Sequence, residues 1–152
     1  MHTGIQNLNR ILPIVDQSLT FRWMMSAGWD EQDAPVFRPL NVINRWTPIL
    51  VYSKGDWSLE GGWCDLFILD GKEKQWHEWQ KPISHIEDLV EYFSDPNDLV
   101  VDPVGGGFTT AAACLRTNRR CISCDCEEEA VSIGNLRLKQ EWQRIEKERR
   151  AD

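Results

Sequence analysis

The sequence has no run of about 18 apolar residues, and its first ten residues, MHTGIQNLNR, hold no apolar signal core. A spanning helix and a secretory leader are not expected, and the chain is placed in the cytoplasm with no membrane contact. Basic charge is scarce too: 17 Lys and Arg stand against 24 Asp and Glu, a net charge of −7. A protein that holds duplex DNA by its overall field needs clustered cations against the phosphates, so that class is disfavoured. No internal repeat, low-complexity segment or linker rich in Gly, Ser or Pro divides the 152 residues, which predicts a single domain over 1–152. With 41% hydrophobic and 27% charged residues, that domain can bury a real core.

A second metal-binding pair is also missing. Five cysteines occur, at Cys64, Cys114, Cys121, Cys124 and Cys126, and reduced thiols are expected in a cytoplasmic chain. The spacing Cys121-x-x-Cys124-x-Cys126 invites a zinc reading. A strand there would send Cys121 and Cys124 to opposite faces, and no further Cys or His pair lies nearby, so no metal is expected.

What is present is a stretch, Leu99–Asp125, around which the rest is organised: LVVDPVGGGFTTAAACLRTNRRCISCD. Leu99-Val100-Val101 reads as a short strand ending in Asp102-Pro103. Gly105, Gly106 and Gly107 follow as a turn, and Thr109–Arg116 suits a helix. A second strand then runs to Asp125. This is the layout of a strand–loop–helix nucleotide site.

Along the remaining chain, Ile5, Leu8, Ile11 and Leu12 predict a short amphipathic helix that Pro13 stops or kinks. Phe21–Met25 and Thr47–Ser53 predict strands, the second running into a Lys54-Gly55 turn, with the intervening GWDEQDAPVFRP read as loop. Residues 54–81 carry Trp57, Trp63, Trp76 and Trp79 without a clear period; such aromatics are commoner as core or interface filler than as base-stacking platforms. Pro82–Phe93 predicts a helix with the apolar stripe Ile83, Ile86, Leu89, Val90 and Phe93 and a capping box Ser84-x-x-Glu87. Glu127–Lys147 predicts a long helix with Val131, Leu138, Trp142 and Ile145 on one side and the acids Glu127–Glu129 favoured at its start. Arg116, Arg119, Arg120 and the tail Arg144–Arg150 read as solvated helix-face charges rather than a phosphate track.

Ligand classes for the loop can be separated. A P-loop needs a Lys after its glycines, and none follows. A nicotinamide dinucleotide site needs a third glycine where Thr110 stands, which weakens the oxidoreductase alternative. Asp102 at the strand tip repels a pyrophosphate but favours a ligand carrying an ammonium and a sulfonium, as S-adenosylmethionine does. Asp125, about 20 residues beyond the glycines, stands where an acid accepts ribose hydroxyls in this architecture. A glycine-rich turn in an unrelated α/β domain remains the alternative.

Residues 77–138 resemble the C-terminal part of bacterial and phage DNA amino-methyltransferases, which act on adenine or cytosine. His77, Gln80, Lys81 and Pro82 fit the family's H-x-x-Q-K-P segment. Asp102, Pro103, Gly106, Thr109 and Thr110 fit its D-P-F-x-G-x-G-T-T cofactor loop, and Asp125 matches the acid that holds the ribose. Upstream, INRWTPILVYSKG is similar to the family's W-x-P-I-L-V-x-x-K segment. The resemblance implies an incomplete Rossmann-like α/β methyltransferase fold with a cofactor core at about 77–140, S-adenosylmethionine as cofactor, DNA as partner, and a place in DNA methylation or restriction–modification. The cofactor-binding residues it implies are Asp102, Pro103, Gly105, Gly106, Thr109 and Asp125.

Two departures stand out. Val104 replaces the family's Phe, and Phe108 replaces its last glycine. The Phe108 ring could occlude the methionine end of the site or turn into the helix–sheet interface. The larger departure is the D-P-P-aromatic motif, which binds the exocyclic amine and stacks on the flipped base. The two Asp-Pro pairs, Asp95-Pro96-Asn97 and Asp102-Pro103-Val104, do not continue that way. In the family's permuted order this motif comes first, so the chain is expected to begin downstream of it, with no catalytic residue of its own. It would then be a remnant or split subunit, completed by a partner chain. His77 and His85 are read as structural, since methyl transfer to an amine asks for amine activation rather than a strong base.

Overall fold

In a computed structural model the described residues are 1–29, 36–58, 62–69, 73, 75–76 and 80–151. The chain forms two compact units, Met1–Gly71 and Lys72–Asp152.

The first unit opens with a 3-10 turn, Ile5–Asn7, that leads into helix α1 (Leu8–Val15). Pro13 lies inside this helix rather than ending it. So close to the C-terminus, proline removes one backbone bond, and the chain leaves through Asp16 N–H to Leu12 C=O at 3.0 Å. Strand β1 (Thr20–Trp29) follows, then the two-residue strands β2 (Val36–Phe37) and β3 (Val42–Ile43), β4 (Trp46–Ser53) and β5 (Leu66–Leu69). β4, β1 and β5 form one sheet in that order. β1 is antiparallel to β4, from Thr20 opposite Ser53 to Gly28 opposite Trp46. It is parallel to β5, from Ser26 opposite Leu66 to Trp29 opposite Leu69.

Two loop expectations are corrected here. Gly28 and Trp29 continue β1 because the long ladder to β4 supplies partners that outweigh the turn signal of Gly28. Val36–Phe37 and Val42–Ile43 pair as a hairpin around the 3-10 turn Arg38–Leu40, and residues 30–35 lie outside the described residues. The stretch without clear period holds β5, whose Phe67 and Leu69 are buried while Leu66 and Ile68 face out.

The second unit contains α2 (Ile83–Phe93), β6 (Leu99–Asp102), α3 (Thr109–Arg116), β7 (Arg120–Ser123) and α4 (Glu128–Arg149). β6 and β7 are parallel, with Val100 opposite Cys121 and Asp102 opposite Ser123. Ile83, Ile86 and Val90 of α2 pack with Ala112, Ala113 and Cys114 of α3, flanked by Leu89, Val100, Cys121 and Leu138. The predicted stripe of α2 is therefore its buried face. The capping box is not formed: Pro82, at φ −53° and ψ 137°, is the N-cap, so Ser84 falls inside the first turn and makes no cap bond.

α4 differs most from expectation. Its buried residues are Ala130, Gly134 and Arg137, while Trp142 is 49% exposed. Gly134 takes up the Phe108 ring, while Leu138 of the predicted stripe packs against the helical core.

Candidate cofactor loop

The loop is built by continuing the β6–β7 pairing beyond the strands. Cys124 N–H donates to Asp102 C=O at 3.0 Å and Gly105 N–H donates to Cys124 C=O at 2.8 Å. Gly105 lies so close to β7 that a Cβ there would collide with Ser123 Oγ. Gly106 takes φ +49°, and its N–H donates to Asp125 Oδ2 at 2.8 Å. Phe108 N–H then closes the turn onto Gly105 C=O at 2.7 Å. Asp102 faces the same turn, with Oδ1 accepting Val104 N–H at 3.2 Å.

The predicted residues Asp102, Pro103, Gly105, Gly106, Thr109 and Asp125 thus converge at the carboxyl ends of two parallel strands and the start of α3. Ligands enter open α/β sheets at such a place. Asp125 lies two residues beyond β7 rather than at its end.

Phe108 is the N-cap of α3, held in the left-handed region at φ 54° and ψ 36°. Its ring is turned inward and is only 4% exposed. It packs against Gly134 of α4, where an added Cβ would collide with the ring atoms Cγ, Cδ1 and Cδ2. Of the two fates left open by the sequence, the interior one is realised. The outward side of the loop carries Val104, which is 79% exposed.

Beside that ring, Arg137 reaches up from α4. Its Nη1 donates to Gly107 C=O at 2.7 Å and to Thr109 Oγ1 at 2.8 Å, and the residue is 2% exposed. Burial pushes its pKa down. Neither Arg137 nor Gly134 was singled out from sequence; the only signal was an isolated glycine inside a charged helix, a pattern that usually has a packing reason.

Asp125 is held ionised. Its Oδ1 accepts Glu127 N–H at 3.0 Å and its Oδ2 accepts Gly106 N–H, and these backbone donors lower its pKa. A carboxylate offers about four lone-pair sites, so capacity for ligand hydroxyls remains. Below the loop, the thiols of Cys114 and Cys121 hydrogen-bond each other, which together with burial holds the Cys121 thiol up. Cys121 lies in β7 and Cys124 beyond it. Among the described residues no group of three or more His, Cys, Asp or Glu is gathered for a metal.

Several cations read as solvated are bound to the protein instead. Arg116 pairs with Glu141 at 2.7 Å and Glu87 at 3.2 Å. Arg119 Nη2 donates to Ser94 C=O at 2.7 Å and Arg120 Nε to Asn97 C=O at 3.0 Å. They hold elements together, which also removes them from any phosphate track. Trp57, Trp63 and Trp76 are half-buried, and His77 and Trp79 lie outside the described residues. His85 is 3% exposed, its pKa lowered to about 4 by burial and by Lys81. A groove of about 490 Å³ in the first unit, lined by Met24, Trp29, Arg45, Trp46 and Asp65 among others, includes none of the predicted residues.

Comparison with known proteins sets the class. The solved M1.HpyAVI–SAM complex superposes with a TM-score of 0.73 at 22% identity, covering 90% of this chain and 72% of that one. The fold is the Rossmann-like α/β fold of S-adenosylmethionine-dependent methyltransferases. The particular similarity is to the DNA amino-methyltransferases: residues 63–136 match the family described as DNA methylase. The DNA adenine methyltransferase YhdJ of Escherichia coli is 32% identical over 72 residues, 47% of this chain and 24% of that protein. The type II methyltransferase M1.MboII of Moraxella bovis is 39% identical over 64 residues, 42% of this chain and 25% of that protein. The aligned part spans about a quarter of these relatives' length.

Proposed function

We propose that this chain provides the S-adenosylmethionine-binding part of a cytoplasmic DNA methyltransferase acting on the exocyclic amine of adenine or cytosine. The observation that carries this reading is the Asp125 carboxylate, held ionised by the Gly106 and Glu127 amides at the strand ends beside Asp102. An ionised acid fixed to a glycine turn suits a ribose and a cationic sulfonium and rejects a pyrophosphate.

The residues present fit the cofactor. Phe108 is out of the way, Gly105 lets the backbone pass without a side chain, and both acids keep acceptor capacity. Asp125 would accept ribose hydroxyls, Asp102 would face the ammonium, and Pro103, Gly105, Gly106 and Thr109 would form the wall. When bound, the cofactor supplies an electrophilic methyl group on sulfur. Residues 1–152 count as one methyltransferase domain in this reading, supported by a fold match over 90% of the chain.

The base is handled elsewhere. No D-P-P-aromatic motif occurs in the sequence, so the acceptors that activate the amine belong to a partner chain or a further segment, and DNA binding by this chain alone is weak. The uncovered face of β6 and β7 supports this: Leu99, Val101 and Ile122 are 49%, 59% and 56% exposed, whereas parallel sheets are ordinarily covered on both faces.

Isothermal titration with S-adenosylmethionine tests the proposal. The expected result is binding by the parent and at least about tenfold weaker binding by Asp125→Ala. No binding by the parent, or an Asp125→Ala variant that binds equally well, would remove it. Reading the DNA upstream of the frame for a D-P-P-aromatic sequence tests the partner.

A further inference from the structure

Arg137 is the most deeply buried charge among the described residues and has no carboxylate in direct contact there. At 2% exposure, its hydrogen-bond partners are two neutral oxygens, Gly107 C=O and Thr109 Oγ1; Glu141 and Glu73 act on it only through their charge, and its Nε has no hydrogen-bond partner among the described residues. Burying a guanidinium against neutral acceptors is costly, and an apolar residue of the same volume would pack there at less expense. Stability of α4 does not account for such a residue. Its geometry does.

The two acceptors flank Phe108, the left-handed hinge where the glycine turn becomes α3. A single guanidinium nitrogen, Nη1, therefore fixes the chain on both sides of the residue whose conformation is least favoured by its own backbone. Drawing the Gly107 carbonyl inward fixes the orientation of the Gly107–Phe108 peptide. The Phe108 amide is in turn bonded to Gly105 C=O, and the neighbouring Gly106 amide to Asp125. Arg137 is thus linked through the turn to the carboxylate.

We propose that Arg137 is the positioning residue of the cofactor loop: by holding Gly107 and Thr109 from beneath, it sets the turn that presents Gly106 and Asp125 to the ligand. It touches no ligand itself. This rests on the proposed cofactor site, but the loop's order can be measured without cofactor.

Two variants probe it. Arg137→Lys keeps the charge but loses the length and fixed plane that bring Nη1 between the two oxygens, and Thr109→Val removes one acceptor while leaving the guanidinium in place. In the cofactor-free full chain, amide hydrogen exchange at Gly106 and Phe108 is expected to quicken by at least about tenfold in both variants, with exchange in β6 and β7 unchanged. S-adenosylmethionine affinity is expected to fall by about tenfold in both. Uniformly faster exchange across the second unit would show a merely structural role and overturn the proposal. So would unchanged exchange at Gly106 and Phe108, or unchanged affinity in both variants of a parent that binds. If Arg137→Lys does not fold, Thr109→Val decides by the same readouts. If the parent binds no S-adenosylmethionine while the exchange effect is present, the cofactor reading fails and the positioning of the loop stands.

Discussion

Phe108 and Gly134 are one structural decision made at two residues. A phenylalanine in the left-handed region costs about 1–2 kcal/mol of backbone energy, which the buried ring offsets because Gly134 leaves room for it. Gly134→Ala should gain about 1 kcal/mol of helix propensity and lose more from forcing the ring aside, since overpacking costs about 1–3 kcal/mol. The expected net effect is a lower Tm in the parent, whereas in a Phe108→Gly background, where the ring is gone, the same change should raise Tm through its helix propensity. Phe108→Gly alone relieves the backbone but empties the contact, where losing a buried phenylalanine costs about 3–5 kcal/mol. It should be destabilised, though less than Phe108→Ala, and urea unfolding of the four proteins would check the order. His85 gives a second expectation at this scale. Its folded pKa is lowered from 6.5 to about 4 by burial and Lys81, so on acidification the unfolded chain takes up the proton first. Stability from this residue is whole above about pH 6.5 and is lost as pH falls towards about 4. A Tm-against-pH series should decline across that window in the parent and less steeply in His85→Gln.

At the scale of elements, Arg116 joins three helices: it leaves α3, meets Glu87 on α2 and is held at Nε and Nη2 by Glu141 on α4. Its side chain is 22% exposed and Glu141's 14%, between the regime where ion pairs contribute little and the one where breaking them is severe. Arg116→Met should therefore cost about 2 kcal/mol. A double-mutant cycle with Glu141→Gln should show most of that cost as coupling, measured by denaturant unfolding. The sequence could not show this bond, because its three residues are distant in the chain and a charged residue on a helix is ordinarily solvated. By contrast, β6, α3 and the acid after β7 were legible, since each carries its own local signal: a β-branched run, glycines, small helix formers, and the interval to Asp125. β5 was hidden because four apolar residues have too little length for a period, and its pairing partner, β1, lies some 40 residues earlier. On α4 Leu138 of the predicted stripe does pack on the core, but Trp142 does not, because hydrophobicity ranks it above Gly134, whereas close packing against Phe108 ranks them the other way.

For the whole molecule, the telling contrast is between the two faces of β6 and β7. Val100 and Cys121 pack on the helical core, while Val101 and Ile122 are 59% and 56% exposed. In the proposed reading a net charge of −7 gives the chain little overall attraction for DNA, and the exposed face of β6 and β7 is where a base-handling part would rest. If that face is bare in the isolated chain, Val101→Thr with Ile122→Thr should change stability by no more than about 1 kcal/mol. Val100→Thr, one residue away, buries a hydroxyl against the core and should cost about 1–3 kcal/mol. The double variant should also bind less of an apolar-surface dye such as ANS than the parent does, because it removes methyl surface that water now meets. Equal destabilisation by both changes would mean that the outer face is already covered in the isolated chain, and the case for a partner resting on β6 and β7 would fall with it.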